Sequence, residues 1–152
     1  MPEPVTPDLL IRPLQQSDHA AWRELWTAYL AFYETEVPEE VYETTWARLF
    51  DANEYEPNGF LALIGDKPVG LVHYIFHRTC WTVANNCYLQ DLFTAPAARG
   101  SGVGAALIDA VRQAAEQRGV TNVYWMTQET NATARRLYDR VANNTGFIKY
   151  KL

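Results

Sequence analysis

"YLQDLFTAPAARGSGVGAALI", residues 88–108, runs from an apolar, strand-like stretch through a proline-marked bend into closely spaced glycines and an apolar helix. Glycine loses more chain entropy on folding than any other residue. Gly100, Gly102 and Gly104 at alternate positions therefore imply a backbone that something must approach closely. From Gly100 to Ala105 the stretch satisfies the dinucleotide pattern G-x-G-x-x-A. Its placement speaks against that reading. The fingerprint belongs directly after the first strand of its fold, too little chain remains here, and no acid ends the next strand near Tyr124 to Met126 to hold a ribose. A phosphate loop of the Walker type fails because no Lys-Ser or Lys-Thr comes after the glycines. A plain helix entry explains one glycine, not three behind an arginine. The reading that remains is Arg99-x-x-Gly102-x-Gly104. In it, successive backbone N–H groups converge on a helix N-terminus and form a nest for an anion such as a pyrophosphate.

Outward from this stretch, apolar spacing orders the chain. "LLIRPL" reads as a first strand. Ser17-Asp18 offers an N-cap for "HAAWRELWTAYLAFYE", whose Trp22, Leu25, Trp26, Tyr29, Leu30 and Tyr33 recur at helical spacing. A second helix begins after Pro38, with acids in its first turn. Residues 59–94 read as an antiparallel meander, turning at "GDKP" and at "VANN". The glycine loop leads into a helix with Val103, Leu107, Val111 and Ala114 on one face, ended by Gly119. "VTNVYWMTQ" reads as a strand, "NATARRLYDRVANN" as a short helix and "GFIKYKL" as a last strand. The expected fold is one α+β domain over residues 1–152, a mixed but mostly antiparallel sheet layered between helices.

Composition narrows the function. The 152 residues are 48% hydrophobic and 20% charged, a globular balance. A net charge of -5 argues against nucleic acid as a partner, because phosphate neutralisation needs clustered Lys and Arg. No apolar run approaches the roughly 18 residues of a membrane span. "MPEPVTPDLLIRPL" has no basic segment leading into an apolar one, so no secretion signal is read. Cys80 and Cys87 make no disulfide framework and fit reduced thiols in the cytoplasm. With His19, His73 and His77 scattered, and the last two in a strand where four-residue spacing is too wide, no metal site is expected.

The two stretches "YLQDLFTAPAARGSGVGAALI" and "VYWMTQETNATARRLYDRVANNTGFIKY" together resemble the GCN5-related N-acetyltransferases (GNAT), in particular the HPA-type histone and polyamine branch. The likeness covers the second half, from about Cys87 to Leu152; the first half agrees only in element order. It implies the GNAT acyl-CoA fold and acetyl-CoA as co-substrate. The activity it implies is acetyl transfer to a primary amine of a small metabolite (a polyamine, an amino acid or similar) by direct attack in a ternary complex. A protein or histone lysine as acceptor is the alternative, as is a non-catalytic acyl-CoA-binding domain. It also implies assembly into a homodimer or larger, for which the terminal "FIKYKL" is a candidate pairing strand.

The resemblance carries residues with it. Backbone N–H groups of Arg99, Gly100, Ser101, Gly102, Val103, Gly104 and Ala105 would take the pyrophosphate. Leu92, Phe93 and Thr94 would pair with the pantetheine arm, with an N–H near Leu92 or Phe93 aimed at the thioester oxygen. "N-x-x-A-x-x-x-Y" from Asn131 matches the helix that carries the family's general acid: Asn131 and Ala134 toward the cofactor, Tyr138 toward the leaving thiolate. Tyr138 also reads as a half-buried helix aromatic, and Asn131 as an N-cap. An amine with a pKa near 10.4 leaves only about one molecule in a thousand nucleophilic at neutral pH, so a base is wanted. Polyamine-acetylating members carry L-E-D where this chain has "LQD". Gln90 cannot serve, and Asp91 remains, as base or as a structural strand-end acid. Glu34, Glu36 and Glu129 are further candidates. Trp22, Trp26, Tyr29, Tyr33, Tyr42, Trp46 and Trp81 beside Glu34 and Glu36 suit an alkylammonium, although a stripe at helical spacing also reads as core; Tyr33 and Glu34, where the stripe opens to a loop, are the favoured acceptor-binding pair.

Overall fold

The computed structural model describes residues 8–152; residues 1–7, which hold half of the N-terminal stretch read for a secretion signal, lie outside the described residues. Strand β1 (Leu9–Pro13) leads through a tight turn at Gln16–Asp18 into helix α1 (His19–Phe32), and α2 is Glu39–Arg48. Then come β2 (Asn58–Ile64), β3 (Lys67–His77), β4 (Asn86–Thr94), α3 (Val103–Gln117), β5 (Val123–Tyr124) and α4 (Ala132–Val141). The sheet order is β1-β2-β3-β4-β5, antiparallel except for the parallel pair β4–β5. This is the expected meander leading into a strand-helix-strand unit.

Alternation along the strands sends side chains into two cores, one on each face. On one face Trp22, Leu25, Leu30 and Tyr42 of α1 and α2 pack on Leu61, Leu63, Leu71 and Phe93. On the other, Val103, Leu107, Val111 and Ala115 of α3 pack on Ala62, Val72, Tyr74, Phe76 and Leu89, with Leu137 and Tyr138 of α4 at its margin. The predicted face of α3 is the buried one, and Gly119 takes φ 72° just past its end, where a left-handed residue closes the helix. Among the described residues no helix is long and apolar enough to cross a membrane.

Three local expectations are corrected. Asp18 does not cap α1, because its carboxylate is turned back to Arg12 at 2.7 and 2.9 Å and to the Gln15 amide at 2.7 Å. The strand expected over "VTNVYWMTQ" shrinks to Val123–Tyr124. The last strand, "GFIKYKL", does not form: residues 142–152 hold no strand, and Phe147 is 91% and Tyr150 87% exposed. The first shortfall leads to the second. A strand needs a ladder, and a two-residue β5 offers a terminal segment almost no backbone to pair with.

Candidate active site

Strand β4 positions the site because its two edges differ. One edge is paired along β3, while the other meets β5 only at Cys87↔Val123 and Tyr88↔Tyr124. From Leu89 to Thr94 that second edge is open, and β4 and β5 splay. The Ala95 amide donates to Val69 O at 2.8 Å, on the β3 side. Backbone groups alternate along a strand, so Phe93 also faces β3, while Leu92 and Thr94 face the splay. Of the two amides proposed for the thioester oxygen, Leu92 is the one turned into the gap.

A register shift re-aims the next side chain. His73 pairs with Asp91 but Tyr74 pairs with Leu89, so Gln90 is an extra residue bulged out of β4. Gln90 is exposed, and Asp91 lies over the α1 face directly opposite His73. There His73 Nδ1 and Asp91 Oδ2 are 3.0 Å apart, with side chains 3% and 14% exposed. The Trp22 indole N–H donates to His73 Nε2 at 3.0 Å. Trp26 stacks on Tyr29 with centroids 5.0 Å apart and lies 5.1 Å from the His73 ring. The Tyr29 phenol titrates well above its ordinary range, first through burial, then through the charge of Asp91 and side-chain interactions with Asp91 and Tyr33. His73 and Tyr29 thus meet Asp91, with Trp22 behind His73; the two aromatics belong to the group read as the acceptor pocket, whereas His73 was not singled out for the site. The signal for His73 was there: a lone imidazole inside the apolar run "VGLVHYIF" must find partners.

Tyr33 caps the end of α1, packed edge-on against Tyr29 at 5.1 Å and Phe32 at 5.2 Å. Glu34 comes next, in the left-handed region at φ 56°, and lines a shallow open hollow with Ala31, Thr35 and Glu36. Tyr138 is half-buried on α4, 5.5 Å from Trp125. Burial pushes its phenol up to about 12, with Tyr33 adding to the rise. Asn131 caps α4 through its Oδ1, which accepts from the Ala134 amide at 3.3 Å. Tyr33 packs on Tyr29, which interacts with Asp91.

The glycine loop has room for a ligand. Gly100 and Gly102 have φ 84° and 81°, and a Cβ on either would meet nothing within 4 Å. Helix α3 starts at Val103 with Gly102 as N-cap and no side-chain cap. Its first amides, from Val103 to Ala105, lack intrahelical acceptors. The Arg99 and Ser101 amides are used inside the loop, donating to Pro96 O and Ala98 O at 3.3 Å each. The Arg99 side chain turns away, its Nε donating to Thr94 O at 3.2 Å and its guanidinium over Phe32. Open left-handed glycines, unspent amides and a helix N-terminus fit a pyrophosphate, and the splay of β4 fits an extended arm beside it.

Comparison with known proteins shows the family. The model of the acetyltransferase (GNAT) family matches residues 19–142. The chain belongs to this family. It is thereby an acetyl-CoA-dependent N-acetyltransferase. It is 36% identical over 153 residues to the D-amino-acid N-acetyltransferase HPA3 of Saccharomyces cerevisiae, covering 99% of this chain and 94% of the relative. A thialysine N-epsilon-acetyltransferase of Caenorhabditis elegans is 29% identical over 84 residues, 55% of this chain and 52% of that one. Among solved structures, the aminoglycoside N-acetyltransferase AAC(6')-Iy in complex with CoA superposes with a TM-score of 0.82 at 16% identity, covering 95% of this chain and 93% of the other. That likeness is one of fold.

Proposed function

We propose that this GNAT enzyme transfers acetyl from acetyl-CoA to the primary amine of a small cytoplasmic metabolite, an amino acid or a polyamine, by direct attack in a ternary complex. The observation that carries the reading is on β4, where the Asp91 carboxylate and the Leu92 amide are consecutive at the mouth of the splay. The full-length similarity to a D-amino-acid N-acetyltransferase puts amino acids first among acceptors.

When bound, acetyl-CoA supplies an activated acyl group; the chain supplies grip, polarisation and proton traffic. The nest formed by Gly100 and residues 102–105 would hold the pyrophosphate, with Asn131 and Ala134 at the rim. Leu92, Phe93 and Thr94 would border the extended arm, the Leu92 N–H acting as an oxyanion-type donor. Asp91 would take the ammonium proton. Tyr138, a phenol held near 12, stays protonated at neutral pH, well above a thiol near 8.5. It is suited to donate a hydrogen bond to the leaving sulfur rather than to give up its proton outright. Tyr33 and Glu34 would border the acceptor.

The test is thiol release from acetyl-CoA with D- and L-amino acids, spermidine and a lysine-bearing peptide as acceptors. Turnover of the free metabolites supports the reading. Turnover of the peptide alone replaces it with protein lysine acetylation. A thermal shift with acetyl-CoA and no release across the panel indicates a binding domain instead.

We also propose that the chain assembles as a homodimer through its terminal segment, whose exposed Phe147, Ile148, Tyr150 and Leu152 await a partner strand.

A further inference from the structure

With Asp91 as the proposed proton acceptor, its neighbour His73 acquires a role that rests on that reading. An indole nitrogen can only donate, so the Trp22 N–H at 3.0 Å obliges His73 Nε2 to accept. A neutral imidazole accepting at Nε2 carries its proton on Nδ1, and that N–H is then the donor to Asp91 Oδ2 at 3.0 Å. Protonating Nε2 as well would set two N–H groups against each other in a site where His73 is 3% exposed. In a Ser-His-Asp triad the imidazole has one nitrogen free for the reacting group and relays protons. Here that nitrogen is closed off by Trp22. The imidazole is a fixed donor and the carboxylate is the end of the line. The other groups around the pair are Tyr29 from α1, which interacts with Asp91, and Tyr88 from β4, which feels its charge. Trp26 adds a ring and no charge.

We propose that His73 is a positioning residue of the transfer site: locked by Trp22 in the neutral Nδ1–H form, it holds Asp91 as a carboxylate by one oxygen and bars the proton taken from the amine from passing inward. The balance is simple. The ammonium gives one proton to the carboxylate, and the free amine forms the C–N bond as the C–S bond breaks. A second proton leaves the new amide nitrogen and ends on the CoA sulfur, and the proton on Asp91 returns to solvent. His73 gains and loses none.

Two measurements test this. Imidazole nitrogen NMR of the free enzyme should show His73 with Nδ1 protonated and Nε2 bare. An Nε2–H tautomer would falsify the proposal. For kinetics, D-phenylalanine, spermidine and a lysine-bearing peptide are tried as acceptors and the fastest is carried through the variants. His73→Asn keeps an N–H near the old Nδ1, whereas His73→Leu keeps none. In His73→Leu, kcat should fall about 100-fold, with the amine KM and the acetyl-CoA Kd within about threefold, and His73→Asn should recover at least about tenfold of that loss. Equal losses in both, or wild-type kcat in His73→Leu, overturn the proposal. If His73→Leu fails to fold, the tautomer and His73→Asn at or above about a tenth of wild-type kcat decide. Asp91→Asn separates the two readings: wild-type kcat there removes the base and its positioning residue together. A deep loss there beside an unaffected His73→Leu removes the role of His73 alone.

Discussion

The indole N–H of Trp22 meets Nε2 of His73 at 3.0 Å, tying the first helix to the central strand at the point where that strand faces Asp91. The bond joins stability to chemistry. Trp22 is fully buried, so its packing supports the core on the α1 side, while its N–H sets which way the imidazole can point.

Trp22→Phe should therefore destabilise by about 1–3 kcal/mol, because it leaves a buried imidazole nitrogen without its donor. Urea unfolding measures this. A loss below about 0.5 kcal/mol would show that the bond contributes nothing beyond packing.

Tyr138→Phe keeps the ring against Trp125 and removes only the hydroxyl. We expect kcat to drop about 10- to 100-fold with the acetyl-CoA Kd within about threefold, as for a group used mainly in the transition state. Steady-state kinetics and calorimetry check the split. Turnover at the wild-type rate would make Tyr138 a structural aromatic.

Stability should fall on the alkaline side. Burial pushes the Cys87 thiol and the Tyr74 and Tyr138 phenols up to about 12 each. In the unfolded chain these groups ionise from about 8.5 for the thiol and about 10 for the phenols. Above that point the native state keeps protons that the unfolded state sheds, so the unfolding free energy decreases with pH. Tm should be level below about pH 8 and decline steadily above about pH 9. A Tm flat to about pH 11 would mean that these side chains titrate freely in the fold.

Gly102→Val places a β-branched residue at φ 81°, a conformation that costs a non-glycine residue about 1–2 kcal/mol. There is open space around the missing Cβ, so the protein should fold, while the nest loses its shape. Calorimetry should find acetyl-CoA binding abolished in a variant with native circular dichroism. Binding at wild-type affinity would rule out the loop as the phosphate site.

Removing residues 145–152 strips four exposed apolar side chains and no core residue. The truncated chain should sediment as a folded monomer with Tm within about 3 °C of a wild-type sample diluted to monomer. A dimer that survives truncation would place the contact elsewhere.

Legibility from the residues alone differs from one part of the molecule to another. The α3 face was legible because Val103, Leu107 and Val111 recur at helical spacing, and all three are buried. The shape of the glycine loop was legible because glycine at positive φ is a local requirement, met at Gly100 and Gly102. The strand expected at residues 146–152 was not, because alternation predicts a strand and says nothing of whether a ladder waits for it. Asp91 was legible as an acid two residues from Phe93; its partner was not.

Local chemistry in the chain thus determined the order of elements up to the last helix and the left-handed glycines of the loop, since turns and apolar periods act over a few residues, and the two quoted motifs carried the resemblance to the family. The tertiary structure alone decided what Asp91 faces. That depended on one bulged residue, Gln90, which shifts the β3–β4 register and puts a carboxylate opposite a histidine. It depended equally on a helix from the other half of the chain delivering an indole that can only donate. Register and long-range hydrogen bonds depend on distant partners, and no short window of sequence contains them.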